Sequence, residues 1–329
     1  MDTLFDISLQ AAGWLQQHYP GLESFFAFVS ELGREEFYLA LFPLIYWCLD
    51  KRLGKYVLYV FLLSVTANSY LKHAFRGPRP YWIDSAIGLS QEDSYGVPSG
   101  HTQLASTVYL FLALWIRKRW AWLLAIVMIL AMGISRVFLG VHFIHDVVVG
   151  LLVALVIIGC YFLWRRIFAK KFRKDILGRK LLTALLLPVA VTALYGITYW
   201  AIGEPDLSVA WAAYIPHAED VSLEAMATAV GTLLGIGIGL NLENSRTRFL
   251  VPGTIIQKVE RYLLGMGGAI AIWAGLKMVF PADPLWLALP LRILRYSLLL
   301  LWASYYAPTL FVRLRLAQAE PDPGISLKL

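Results

Sequence analysis

The chain has 329 residues; 59% are apolar, only 16% are charged, and the net charge is +7. Soluble domains are near half apolar and about a quarter charged, so this balance, with a mean hydropathy of +0.63, excludes an ordinary soluble domain and points to a polytopic membrane protein. Nor does the basic surplus imply nucleic-acid binding. Lys and Arg cluster at 50–55, 117–119, 165–180, 246–248 and 313–315, each at the end of an apolar run, which is the positive-inside pattern.

In chain order, the N-terminus does not read as a signal peptide, because Asp6, Gln10, Gln16, Gln17 and His18 interrupt its apolar positions. Residues 4–30 instead predict an amphipathic helix lying at the membrane interface, broken near Pro20-Gly21. Apolar windows then predict an all-α, polytopic helical bundle of about nine spans, at 37–49, 56–72, 101–116, 121–139, 143–164, 181–203, 225–243, 262–280 and 285–312. The alternating basic clusters put the N-terminus outside and the C-terminus inside. Segment 73–99 and loop 204–223 then share the outer face. The basic stretch 165–180 divides a core of 1–164 from a four-span unit at 181–315, with a tail at 316–329 whose last five residues are expected to fray. Cys48 and Cys160 lie inside apolar runs and read as packing residues. Trp82, Trp200, Trp211 and Trp286 near outer ends, and Trp47, Trp120 and Trp164 near inner ends, read as interfacial belts. The glycines between 231 and 239 predict close helix packing.

Three polar islands fall at the outer edge of this scheme: KHAFRGPRPYW (72–82), VPSGHT (97–102) and SRVFLGVHFIHD (135–146). Charge at a membrane edge is costly and marks a functional site. Lys72, Arg79 and Arg136 are three cations that suit an anion with several oxygens, of which phosphate is the obvious one. If Pro98 opens a helix, the N–H groups of Ser99, Gly100 and His101 face outward at its N-terminus, a ready anion site. His142 and Asp146 are four apart, which predicts one helix face and a carboxylate that fixes the imidazole tautomer. A histidine so held can attack phosphorus, and His101 can protonate the leaving oxygen. The rival reading makes His142, His145 and Asp146 a metal site, since His-x-x-His puts two imidazoles on one face. No further Cys, His or acidic ligand lies in that island, so no metal and no cofactor are expected, and His145 is assigned to packing. His73 and Arg76 read as solvated loop residues near the site, and His217 and Asp220 as a polar outer loop whose rival role is a lid. Arg292 and Arg295 share one helix face and need a partner.

Lys72-x6-Arg79-Pro80, Pro98-Ser99-Gly100-His101 and Ser135-Arg136-x5-His142-x3-Asp146 together resemble the three signature motifs of the type 2 phosphatidic acid phosphatase superfamily, which also contains the vanadium haloperoxidases. The resemblance implies a metal-independent phosphatase with a helical core. It implies His142 as nucleophile, Asp146 as its partner and His101 as acid, with Lys72, Arg79, Arg136 and the Ser99–Gly100 backbone on phosphate. FYLALFP (37–43), RPYW (79–82) and GTLLGIGIGLN (231–241) resemble the glucose-6-phosphatase branch, and FYLALFPLIYWCLD (37–50) resembles sphingosine-phosphate phosphatases. The expected activity is hydrolysis of a phosphate ester through a phosphohistidine, with a lipid phosphate (phosphatidate, a sphingoid-base phosphate or a polyprenyl (pyro)phosphate) as substrate and the bilayer as partner. A soluble sugar phosphate such as glucose 6-phosphate is the alternative, and a transport module with a phosphatase-like core the second. The expected location is a bacterial plasma membrane, with the site on the non-cytoplasmic face and the C-terminus cytoplasmic.

Overall fold

The structure, a computed structural model, describes residues 2–320; the expected fraying of the last five residues lies outside them. Apart from one isolated bridge between Phe249 and Ala319, the regular structure of the described residues is helical. The helices are α1 (Asp2–His18), α2 (Glu23–Glu31), α3 (Glu35–Leu44), α4 (Lys51–Phe75), α5 (Pro80–Ile83), α6 (Gly100–Ile116), α7 (Arg119–Phe138), α8 (Ile144–Ile167), α9 (Ala169–Lys174), α10 (Leu177–Ile202), α11 (Ile215–Leu242), α12 (Ile255–Val279), α13 (Leu285–Leu301) and α14 (Ala307–Arg313).

Six helical stretches among the described residues are long and apolar enough to cross a bilayer: Arg119–Phe138, Ile144–Ile167, Leu177–Ile202, Ala212–Thr247, Ile255–Val279 and Leu285–Arg313. The three other expected spans are helical but fall short for separate reasons. α3 has only 10 residues before a π-turn at Ile45–Leu49. α6 has 17, short of the roughly 20 that a span needs. α4 is long enough at 25 residues, but Ser64, Thr66, Asn68 and Ser69 in its second half and Lys72 near its end lower its hydropathy.

The chain packs as two compact units, and neither is a continuous stretch. One comprises Met1–Tyr38, Val60–Phe168 and Thr192–Ala229; the other comprises Leu39–Tyr59, Ala169–Val191 and Val230–Leu329. The linear division at 165–180 therefore does not coincide with the units, because helices pack by complementary faces and not by sequence order.

In the first unit, α6 packs against both α7 and α8, and α7 also receives α1 and α2. The turn from α6 to α7 is tight, with Arg117 left-handed at φ 57° and its N–H on the Ala113 carbonyl. The N-terminal helices are broken at Pro20–Leu22, where the Pro-Gly pair predicts it. They also reach the third polar island and the loop that follows the first: Gln16 Nε2 donates to the carbonyls of Ile87 (2.9 Å) and Phe138 (2.7 Å), and Ser8 Oγ accepts the Ile144 N–H (3.2 Å). A buried polar ladder ties α4 to α6. Asn68 Nδ2 donates to Gln103 Oε1 (2.9 Å) and to the Pro98 carbonyl (3.2 Å), and Gln103 Nε2 donates to the Ser64 carbonyl (2.8 Å).

In the second unit, Gly231 and Gly235 of α11 lie where a Cβ would strike the Ile293 and Ser297 carbonyls of α13, so the two backbones touch there. Ser297 Oγ donates to the Gly231 carbonyl (3.0 Å) across the same seam. Arg292 and Arg295 find the ring of Tyr296 on their own helix, 5.9 and 5.1 Å from its centroid. Trp47 is fully buried and donates to the Ala303 carbonyl (2.9 Å), so it belongs to a core and not to a belt. Trp82, in the first unit, is likewise buried, stacked 5.0 Å from Tyr214. Trp120, Trp164, Trp200 and Trp286 are exposed, whereas Trp211 is half-buried. Cys48 is buried, whereas Cys160 of α8 is exposed and so is not a core residue of the unit.

Candidate active site

The three polar islands converge in the first unit. Lys72 sits on the last turn of α4, Arg79 just before α5, His101 in the first turn of α6, Arg136 in the last turn of α7, and His142 in the loop leading to Asp146 of α8. Arg79, Arg136, His142 and Asp146 are essentially inaccessible, at 0–2% exposure. Such burial of charge is tolerated only with partners.

His142 and Asp146 do not share a helix face. α8 begins at Ile144, with Phe143 as its N-cap and Asp146 in its first turn. Asp146 Oδ2 accepts the Phe143 N–H at 3.0 Å and lies 3.2 Å from His142 Nδ1. The four-residue spacing therefore works as a helix cap: a carboxylate in the first turn turns back on the residues that precede the helix, where the helix dipole also favours it. The loop needs Gly140, which is left-handed at φ 69° and leaves no room for a Cβ against the Ile87 carbonyl. With Nδ1–H donating to Asp146, the Nε2 lone pair of His142 is left to face Arg79 Nη1, 3.3 Å away. Burial first, and then Arg79, Arg136 and Lys72, hold the His142 pKa well below its ordinary value, so the ring is neutral at neutral pH. A neutral imidazole fixed in this tautomer is a competent nucleophile at Nε2.

His145 Nε2 leans on the opposite oxygen, Asp146 Oδ1, at 3.2 Å, and its ring stacks on Phe143 with centroids 5.3 Å apart. It therefore lies beside Asp146, without a hydrogen bond to Oδ1 among the described residues, and does not join His142.

α6 starts at Gly100, with Ser99 as N-cap, so one expectation is corrected. The Ser99 N–H does not face outward; it donates to the Asp146 carbonyl at 3.0 Å and stitches the second island to the third. The first-turn amides of Gly100 and His101 remain as the outward donors, as at any helix N-terminus. His101 Nδ1 lies 3.8 Å from Glu92 Oε1, while its Nε2 is buried with no hydrogen-bond partner among the described residues.

The cations meet a segment that the motifs do not include. Lys72 Nζ donates to Ser94 Oγ (2.8 Å) and the Tyr95 carbonyl (2.7 Å). Arg79 Nη2 donates to Ser94 Oγ (3.1 Å) and the Tyr95 carbonyl (3.2 Å), and its Nη1 to the Val141 carbonyl (2.9 Å). Arg136 donates through Nη1 to Ser30 Oγ of α2 and through Nη2 to Glu92. Burial alone would raise the Glu92 carboxyl, but Arg136, then Arg79, outweigh it and hold the group well below the usual carboxylate range.

Two further residues were misread or missed. His73 is not solvated; it is fully buried between the rings of Tyr195 and Tyr199, 4.7 and 5.2 Å away. Of the YIPHAED stretch, His217 and Asp220 are exposed, His217 lying 3.5 Å from Asp93. Glu219 is the residue that turns inward. It accepts from Arg76 Nε (2.9 Å) and Nη2 (3.0 Å) and from the Tyr95 hydroxyl (2.7 Å). Glu92 stands nine residues before His101 in an irregular loop, and Glu219 is one of several acids on α11. No periodicity distinguishes either; only the shared islands of charge across the fold do.

A membrane bundle that gathers two histidines, a buried carboxylate and three cations at helix ends is the class of a membrane phosphatase. The PAP2 superfamily model matches residues 53–170, and the model of the PAP2 superfamily phosphatase transmembrane extension matches residues 227–319. The chain belongs to the PAP2 superfamily, and is an integral membrane phosphoric monoester hydrolase. It is 26% identical over 320 residues to glucose-6-phosphatase 3 of Mus musculus, covering 84% of this chain and 87% of that one. It is 28% identical over 144 residues to sphingosine-1-phosphate phosphatase 1 of Rattus norvegicus, covering 42% and 34% respectively. Among solved structures it is similar to the transmembrane PAP2 type phosphatidylglycerolphosphate phosphatase of Bacillus subtilis, with 30% identity, a TM-score of 0.41, and coverage of 50% of this chain and 88% of that one.

Proposed function

We propose that the protein hydrolyses the phosphate monoester of a membrane lipid through a phosphohistidine on His142. The observation that carries the chemistry is the His142 imidazole, held by Asp146 at 3.2 Å with Nε2 directed toward Arg79. Nε2 attacks phosphorus in line, the P–O bond to the alcohol breaks, and His101 delivers the proton to the departing oxygen. Water, deprotonated by His101, then attacks the phosphohistidine and frees phosphate. Asp146 balances the charge that His142 acquires, and Lys72, Arg79, Arg136 and the Gly100 and His101 amides hold the equatorial oxygens.

A lipid substrate is supported by where the site residues stand. Arg136 and Asp146 occupy the ends of α7 and α8, whose outer faces carry exposed Leu130, Ile134, Ile144 and Val148. A headgroup could reach the site while its chains stay in the bilayer. A sugar phosphate is the second reading, favoured by the similarity to glucose-6-phosphatase 3 over 84% of the chain. Under either reading the site faces the non-cytoplasmic side of the membrane, taken as a bacterial plasma membrane, and the C-terminus faces the cytoplasm; the basic clusters support that orientation.

The test is phosphate release by purified protein from phosphatidate, sphingosine phosphate, polyprenyl diphosphate and glucose 6-phosphate, with His142→Ala as blank. The reading expects lipids to lead and His142→Ala to be inactive while still monodisperse in detergent. Preference for glucose 6-phosphate replaces the substrate class, and turnover by His142→Ala overturns the mechanism.

A further inference from the structure

Phosphate binding by Lys72, Arg79 and Arg136, as proposed above, meets an obstacle in the hydrogen bonds themselves. Arg79 directs Nε to the Ser94 carbonyl, Nη1 to Val141 and His142, and Nη2 to Ser94 and Tyr95, which engages all five donors of a guanidinium. Lys72 has two of its three donors on Ser94 and Tyr95. Arg136 has one donor of Nη1 on Ser30 and one of Nη2 on Glu92, and its Nε is buried without a partner among the described residues. Of the groups holding these donors, Glu92 alone is an anion. Its Oε1 also lies 3.8 Å from His101 Nδ1, so it stands between a phosphate-binding arginine and the acid.

We propose that Glu92 is a substrate-facing residue that competes with phosphate for Arg136, and so sets the affinity of the site for phosphate both as ester and as released product. A phosphate and a carboxylate on one guanidinium repel each other, and the repulsion is strong where water is scarce. The phosphate therefore takes the Arg136 donors as the carboxylate leaves them. The motion is confined to the side chain. The Glu92 backbone is pinned on both sides by Tyr81, whose hydroxyl donates to its carbonyl (2.6 Å) and accepts its N–H (3.1 Å). The Glu92 side chain keeps 26% of its surface exposed, which leaves it somewhere to go. The arrangement lets product leave: once the phosphohistidine is hydrolysed, returning Glu92 displaces inorganic phosphate from a site that otherwise retains it.

The experiment is equilibrium binding of radiolabelled inorganic phosphate to the purified full chain, wild type against Glu92→Gln. The amide keeps the shape and removes the charge, and the dissociation constant is expected to fall about tenfold, or about 1.4 kcal/mol. The inhibition constant of phosphate in the hydrolysis assay should fall in parallel. Glu92→Asp, which keeps the charge on a shorter stem, should lie between the two, and carries the test if the glutamine variant does not fold. An unchanged or larger constant in Glu92→Gln overturns the proposal. Wild type that hydrolyses and binds phosphate while Glu92→Gln binds no tighter defeats this inference alone. Absence of phosphate binding in both defeats the phosphate-site reading with it.

Discussion

Asp146→Asn separates the two functions that one carboxylate oxygen serves. Oδ2 accepts from the Phe143 amide at 3.0 Å and from His142 Nδ1 at 3.2 Å, while Oδ1 faces His145 Nε2 at 3.2 Å. An asparagine fits this frame with its oxygen in place of Oδ2 and its NH2 in place of Oδ1, beside His145. The cap of α8 and the His142 tautomer then survive, and only the charge is lost. A charge-assisted hydrogen bond contributes roughly twice a neutral one, a difference of about 1–2 kcal/mol. Applied to the transition state, in which His142 becomes cationic, that is roughly a 5–30-fold fall in kcat. Asp146→Ala removes both bonds; it should lose more than 100-fold in kcat, and about 1 kcal/mol of stability through the missing cap. The assay is phosphate release under saturating substrate, with acid-stable and acid-labile phosphate counted after a rapid quench to follow the phosphohistidine. Asn activity within twofold of wild type would refute an electrostatic role for Asp146. Asn as inactive as His142→Ala would show the amide turned the other way, with its NH2 on His142 and the wrong tautomer imposed.

Glu219→Ala frees Arg76 and the Tyr95 hydroxyl together, and Tyr95 is the residue whose carbonyl Lys72 and Arg79 both hold. KM should rise about tenfold with a smaller change in kcat; a pure loss of thermal stability with both constants intact would mark Glu219 as structural only. Because burial, then Arg79, Arg136 and Lys72, depress the His142 pKa, the attacking neutral form persists below the ordinary imidazole value of 6.5. The acid limb of kcat/KM should therefore fall below that pH and stay there when the substrate is changed, whereas a limb at 6.5 contradicts the burial argument. Gly140→Ala places a side chain at φ 69° against the Ile87 carbonyl; a destabilisation of about 1–3 kcal/mol, read as a lower unfolding midpoint in detergent, is expected, and an unchanged midpoint would show that the loop relaxes freely.

The sequence by itself determined the membrane class and the helical architecture, and it named the residues that the fold brings together in one place. A segment that crosses a bilayer must satisfy its backbone internally, and a helix does so; His142, Asp146, His101 and the three cations stood out because charge is costly among apolar runs. Residue spacing also marked the break at Pro20–Leu22, since Pro and Gly act through local backbone geometry. What spacing misjudged was whatever depends on neighbours distant in the chain. His142 and Asp146 pair as a helix cap because α8 begins between them. The Ser99 amide serves Asp146 and not an anion, because α6 and α8 pack together. His73 is buried because two tyrosines of α10 enclose it. Glu92 and Glu219 belong to no motif, and their importance lies wholly in which cations the fold sets opposite them. A local pattern records the chemistry a segment can perform; the partners that neutralise its charges come from segments tens of residues away, and only packing brings those together.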